Sequence, residues 1–426
     1  MRSVLASVGS LLLGTAILML GNSLLGIVLP LKMEAAAYST LLTGSVMASY
    51  FAGLVAGSLY GKRFIAEVGH IRAFAGFAAL TATVALLHPM VFNALAWGIL
   101  RFVSGFCIAG LFAAMESWLN ERSTNETRGR VLSIYILVTY LAIMLGQLSV
   151  NLFDLDAVEG FMMAGLLISL SLVPVVLTRI EAPSLEKVEP LSFLALYRSS
   201  PLGVIGCIGS GLLMGAYWGL GAVFATEVGF PVIQVSLFVS AVVAGGLIFQ
   251  WPIGRLSDRV DRRKVMRGVL LAAALVCFGG IFALQQGAGF PAILLVGVLI
   301  GGTTSGIYPI STAQAYDYLP RSRYIGASAG LLLSYAIGAA AGPILCSLLM
   351  TAIGPAGFFW YLGVVAAGLA GFVQYRIGVR APKPESEQEP VVVLPRMSPV
   401  AAGLDPRALP SAPASAERES ADPAAR

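Results

Sequence analysis

Charge is scarce in this chain. Only 12% of its 426 residues are Asp, Glu, Lys or Arg, where a soluble domain carries about 25%, and 57% are hydrophobic. So much apolar surface excludes a water-soluble fold of this length. Histidine is nearly missing: His70 and His88 are the two in the chain, and they are predicted to fall in loops on opposite sides, too far apart for a common metal site. The four cysteines, Cys107, Cys207, Cys277 and Cys346, lie singly in apolar runs. They have neither metal-ligand spacing nor an extracellular pairing context, which leaves them as small packing residues. No nucleophile triad, metal cluster or phosphate-cradling loop stands out, so no cofactor, no enzymatic role and no ATP-driven step is expected. The net charge of +5 does not point to nucleic acid, because the basic residues sit in short clusters between apolar runs, which is a topology signal.

What the chain has instead is apolar runs of about 18 to 25 residues, the length that crosses a ~30 Å hydrocarbon core at 1.5 Å per residue. Backbone groups at that depth have no water, so only helices or closed barrels span; continuous runs without period-two alternation select helices. The runs predict helices at about 8–31, 41–60, 73–88, 94–119, 131–153, 160–178, 202–225, 232–253, 265–285, 292–313, 325–350 and 356–377. The first is too long for a signal-peptide core and lacks a small-residue cleavage pattern, so it is read as a span. Breaks after odd helices hold one basic residue, Lys32, whereas Arg2 and the breaks after even helices hold eighteen. That bias predicts both termini in the cytoplasm, and an error of one in the count would reverse the alternation downstream.

The runs divide into an N-terminal six-helix bundle (1–180), a central cytoplasmic loop (181–200), a C-terminal bundle (201–378) and a Pro-, Ala-, Ser- and Glu-rich tail (379–426) expected to be disordered. Gly57 to Arg72 lines up with Gly254 to Arg267 at an offset of about 197 residues, and Arg128 to Arg130 with Arg321 to Arg323. A six-helix unit used twice in parallel implies a pseudo-twofold along the membrane normal, as in transporters.

After helix 8 the chain reads Gly254-Arg255-Leu256-Ser257-Asp258-Arg259-Val260-Asp261-Arg262-Arg263-Lys264. This resembles the G-x-x-x-D-R-x-G-R-R loop of the major facilitator superfamily, with Asp261 in place of the second glycine. In the first-half copy, Gly61 stands at the acidic position. Met115-Glu116-Ser117-Trp118-Leu119-Asn120-Glu121-Arg122, Tyr308-Pro309-Ile310-Ser311 and Leu332-Leu333-Ser334-Tyr335 with Gly342-Pro343 look like the YcaD-like branch of bacterial transporters. The resemblance implies an all-α membrane fold of twelve transmembrane helices in two pseudo-symmetric bundles, in the inner membrane of a bacterium. It implies a monomeric secondary transporter, surrounded by lipid and coupled to protons, that exports a small organic solute by alternating access. Proton symport for uptake is one alternative, and a receptor or scaffold that moves nothing is another. The substrate itself is not legible.

In that superfamily helices 1, 4, 7 and 10 surround the path, which directs attention to their polar groups. Arg101, two turns into helix 4, costs roughly 2.5–3.5 kcal/mol to insert and so must face protein or water. With Gly105 and Ala109 it matches an R-x-x-x-G-x-x-x-A pattern of proton-coupled members; by that resemblance it would hold an anionic group or tune a proton carrier, against a structural arginine bonded to carbonyls. Glu116 is either a proton acceptor near the cytoplasmic mouth or a solvated helix-end acid. Glu34 and Glu227 read foremost as interfacial charges. Thr304, Tyr308 and Ser311 on helix 10, and Ser210, Met214, Tyr217 and Trp218 on helix 7, recur at helical spacing and either line a cavity or glue helices together. Asn22 and Gln147 are further mid-span polar groups. Gly254, Asp258, Arg259 and Arg262 are expected to form a cytoplasmic gate with Arg128 and Arg130 at the start of helix 5.

Overall fold

The computed structural model describes residues 2–405, except 125, 156, 178–191, 321–322, 382, 385–387, 389, 394–395 and 397. Twelve of its helices are long and apolar enough to cross a membrane. They are helix 1 (Arg2–Ala35), 2 (Thr40–Val68), 3 (His70–Leu87), 4 (Ala94–Glu121), 5 (Arg128–Leu148) and 6 (Glu159–Leu170, resumed at Leu172–Val176) in one half. The other half holds helix 7 (Pro201–Glu227), 8 (Val232–Ser257), 9 (Arg262–Gln285), 10 (Phe290–Ser305, resumed at Ile307–Tyr316), 11 (Tyr324–Ile353) and 12 (Ala356–Val379). Large apolar side chains such as Leu95, Leu145, Leu275 and Phe282 stand exposed around the outside, as lipid-facing residues must. The predicted spans are therefore all present, several of them longer than the apolar run alone suggests because polar turns continue the helix beyond the hydrocarbon.

The two halves repeat one packing scheme. Helix 1 packs on 5, 2 on 4 and 3 on 6; correspondingly helix 7 packs on 11, 8 on 10 and 9 on 12. Without a hydrophobic drive between helices in lipid, close backbone approach supplies the attraction. A Cβ placed on Gly105 would come within 2.0 Å of the Tyr50 carbonyl oxygen, and one on Gly53 within 2.0 Å of the Phe102 oxygen, so helices 2 and 4 touch backbone to backbone. Gly245 and Gly301 do the same for helices 8 and 10, at 1.9 Å from Val298 O and 1.8 Å from Val242 O. The sequence repeat is thus a repeat of helix contacts.

Between the halves, helix 2 meets 11, helix 5 meets 8 and helix 1 meets 7. At the end remote from the basic loops this seam carries hydrogen bonds: Thr40 Oγ1 donates to Glu227 (2.7 Å), Asn151 Nδ2 to Ser236 Oγ (2.8 Å) and Ser240 Oγ to Gln147 (3.3 Å). Small residues let it close tightly, with Gly44 against Ser347 and Gly219 against Met47. At the basic end the C-terminal segment lies between the halves: a 3-10 turn, Pro399–Leu404, packs on helix 4 and on helix 11.

This corrects the expectation of a structureless tail from 379. Val391 to Val393, Ala401, Ala402 and Leu404 give the described stretch enough apolar surface to be buried between the bundles, although its overall composition is that of a solvated chain. Residues 406–426 of the expected tail lie outside the described residues. So does most of the expected central loop, 181–191; its last part is a short helix, Phe193–Ser199, capped by Ser192.

Candidate functional site

Between the halves lies a cavity whose empty space, open solvent at its mouth included, is about 1510 Å³. Helix 1 contributes Asn22, helix 2 Tyr50, helix 4 Arg101, helix 5 Tyr140 and Gln147, and helix 7 Met214, Tyr217 and Trp218. Ser23, Thr139, Ser305, Tyr335 and, from the C-terminal segment, Arg396 add to the polar lining. Among the described residues none of those lining it is Asp or Glu, so they give the cavity two guanidinium groups and no carboxylate.

Arg101 is 4% exposed, and its guanidinium lies 4.3 Å above the Tyr50 ring. Asn22 Nδ2 donates to the Tyr50 hydroxyl (3.4 Å), which fixes that ring beneath the cation. Spacing explains the placement: Gly105 and Ala109, one and two turns along, face helix 2 at Tyr50 and Gly57 and turn Arg101 to the cavity. Burying a guanidinium costs several kcal/mol, and stacking on a desolvated ring returns about 2 kcal/mol. Its Nε and Nη1 have no hydrogen-bond partner, and among the described residues it makes no ion pair. An anion entering the cavity would meet this need.

Asn22, Arg101, Tyr217 and Trp218 are thus brought together on one cavity. Tyr217 donates its hydroxyl to Val239 O, and its ring lies 4.9 Å from that of Trp218. Glu116 is not among the lining residues. It is fully buried and accepts a bond from Tyr135 Oη at 3.1 Å, so it is no solvated helix-end acid. Thr304 returns its hydroxyl to Ile300 O (2.7 Å), and Ser311, bonded to Ile307 O, packs on Gly206 of helix 7. Both belong to helix contacts, as does Ser210, which is buried off the cavity. Tyr308 is buried with its ring 5.3 Å from that of Tyr335.

In the loop after helix 8, Asp258 lies 4.0 Å from Arg262, whose Nε lies 3.3 Å from Asp317 at the end of helix 10. The other acceptor role of Asp258 is toward the Val391 N–H (2.7 Å), and no bond joins it to Arg128 or Arg130 among the described residues. Arg130 and Arg259 are exposed and Arg128 is half-buried. Gly254 faces Val391. Asp261, the departure from the superfamily pattern, caps helix 9: Arg263 N donates to its Oδ1 (3.0 Å), and the Arg263 guanidinium binds both oxygens at 3.0 and 2.9 Å. Partial burial raises the pKa of this carboxyl, but the Arg263 contacts outweigh that and hold it below the usual value.

Sequence reasoning passed over Tyr50, Tyr140 and Tyr335 of the cavity, and Arg396. Aromatic residues are common in apolar spans and carry no period that marks them. The signal for Arg396 was the run Val391-Val392-Val393 in an otherwise polar tail.

Two like bundles about a central cavity, sealed at one end by the helix pairs 1–7, 2–11 and 5–8, are the architecture of a membrane transporter. The family model described as Major Facilitator Superfamily matches residues 11–220 and 203–411. Curated relatives include the uncharacterized MFS-type transporter YcaD of Salmonella arizonae and of Salmonella typhimurium, each 30% identical over 348 residues, covering 80% of this chain and 88% of the relative. Among solved structures the fold is similar to that of the nucleoside transporter NupG, with a TM-score of 0.73 at 13% identity over 90% of this chain and 100% of the other. It is also similar to a bacterial homolog of the human lysosomal transporter Spinster, inward-facing and unoccupied, with a TM-score of 0.66 at 15% identity over 96% and 99% of the two chains. The chain belongs to the major facilitator superfamily, a family of membrane transporters of small solutes, and resembles its YcaD-type members.

Proposed function

We propose that the chain is a secondary active transporter of a small organic solute bearing an anionic group, working by alternating access. The observation that carries this reading is Arg101: a buried guanidinium without a counter-ion, set on a large cavity that otherwise offers aromatic and apolar surface. The basic loops favour a cytoplasmic face at the unsealed end, in the inner membrane of a bacterium. The conformation described is then inward-facing, and the seam from Thr40 to Glu227 is the closed outer gate. When the halves rock, Asp258 would engage the start of helix 5 near Arg128 and Arg130 and close the inner side.

Protons are the coupling ion in this reading, and export is the direction. Glu116, a buried carboxyl on the same helix as Arg101 and bonded to Tyr135 of helix 5, supports it, because acidic groups inside a membrane span serve as proton relays. The test is a screen of organic anions in reconstituted vesicles with and without an imposed pH gradient. Gradient-dependent flux of an anion, lost in Arg101→Ala at equal membrane abundance, is expected. Flux of neutral solutes alone, or an Arg101→Ala variant with unchanged flux, would overturn it.

A further inference from the structure

The helix-10 motif Tyr308-Pro309 is not part of the cavity lining. In a continuous helix the N–H of residue 309 would bond the carbonyl of residue 305. Proline has no N–H, so Pro309 leaves the Ser305 oxygen without its helical donor, and helix 10 breaks at Gly306 between Ser305 and Ile307. A bare carbonyl at the carboxyl end of a half-helix, inside a membrane protein, is a site for a cation or a strong donor. Arg396 fills it: its Nη2 donates to Ser305 O, with the guanidinium 5.3 Å from the Tyr308 ring and 5.5 Å from the Tyr335 ring.

The chain reaches this point through a series of anchors. Arg380 stacks 3.8 Å over Tyr318, Lys383 donates to Asp317 O (2.6 Å), and the Val391 N–H bonds Asp258 (2.7 Å). Beyond Arg396, the Pro399–Leu404 turn lies against both halves, with Gly403 in contact with Asn120 of helix 4. Each anchor is a built contact, and the chain crosses from one bundle to the other.

We infer that the broken helix 10 carries a guanidinium-binding site made of Ser305 O, Tyr308 and Tyr335, and that the described residues among 390–405 are its intramolecular ligand, a plug that closes the basic end of the cavity. Transport then requires the plug to leave, and its departure exposes a site for a guanidinium or ammonium group opposite Arg101. The inference deepens the transport reading, yet its test needs no solute, so either can fail alone.

A Cβ on Gly254 would stand 3.9 Å from Val391 Cβ, within the range a disulfide spans. In full-length protein with the four native cysteines replaced by alanine, Gly254→Cys with Val391→Cys should cross-link on mild oxidation. In parallel, Thr139→Cys, on the cavity wall, reports access from the basic side to a membrane-impermeant maleimide. Its labelling should rise at least tenfold in Arg396→Ala, in a chain ended after Arg380, and in Pro309→Ala, which restores the missing N–H. Arg396→Lys should stay protected, and adding methylguanidinium to the shortened chain should slow labelling again. Failure to cross-link, or equal labelling in the intact and shortened chains, would overturn the plug. Labelling that rises in Arg396→Ala but not in Pro309→Ala would overturn the site. Should the shortened chain fail to insert, the cross-link and Arg396→Ala decide alone.

Discussion

A guanidinium that stacks on one ring, with two of its nitrogens unbonded, is sensitive to shape as well as charge. Lysine in place of Arg101 keeps the charge but loses the planar fork and the stacking on Tyr50. Arg101→Lys is expected to weaken binding of an anionic solute by about 10- to 100-fold, the value of a charged hydrogen bond of ~1.5–3 kcal/mol, measured by competition binding in detergent. Asp261 is a second single-residue case. Its pKa is lower when folded than the ordinary 3.8, so its stabilising effect is present above that value and is lost as pH falls through the folded pKa. Asp261→Ala should cost about 0.5–2 kcal/mol at pH 7 and remove the part of the acid sensitivity that appears below about pH 4, read as thermal unfolding across pH. The importance of Arg101 was legible in the sequence because a lone cation two turns inside a 28-residue apolar helix has few reasons to be there. That of Arg396 was not, because its value lies in a carbonyl ninety residues earlier that Pro309 leaves bare.

At the scale of helices, the glycine contacts decide which pairs touch. Gly105→Val and Gly245→Val each force a side chain into a carbonyl of the neighbouring helix, at 2.0 and 1.9 Å for the Cβ alone, and overpacking of this kind costs about 1–3 kcal/mol or more. Both should lower the melting temperature and membrane abundance, whereas Gly76→Ala, with nothing within 4 Å of its Cβ, should not. The spans and their order were legible from run length and from the basic loops. What periodicity did not separate was cavity from contact on helix 10: Thr304 and Ser311 recur with Tyr308, but the break at Gly306 changes the direction of the face between them. A period is a property of an unbroken helix, and this one is broken.

For the whole molecule, alternating access as proposed makes the equilibrium between the two states depend on the far-end seam. Thr40→Val removes the bond to Glu227 and about 1 kcal/mol with it, which should shift the population roughly fivefold toward the state open on that side. Maleimide labelling of Met47→Cys from the far face would read the shift, and an unchanged rate would place the seam's strength elsewhere. The repeated halves were visible as Gly57 to Arg72 against Gly254 to Arg267. Which pairs seal the seam was not, because two bundles with the same internal contacts can meet at either end.

That seam is made of glycine, serine, threonine and proline, with only brief stretches of polar zippering. Three side-chain hydrogen bonds, one of them to the Glu227 carboxyl, at about 1–3 kcal/mol each, amount to only several kcal/mol. One charge falling through 100 mV releases about 2.3 kcal/mol. On the proposed reading, a closure held so lightly can be undone and remade by an electrochemical gradient of ordinary size, with no phosphate bond spent at any turn.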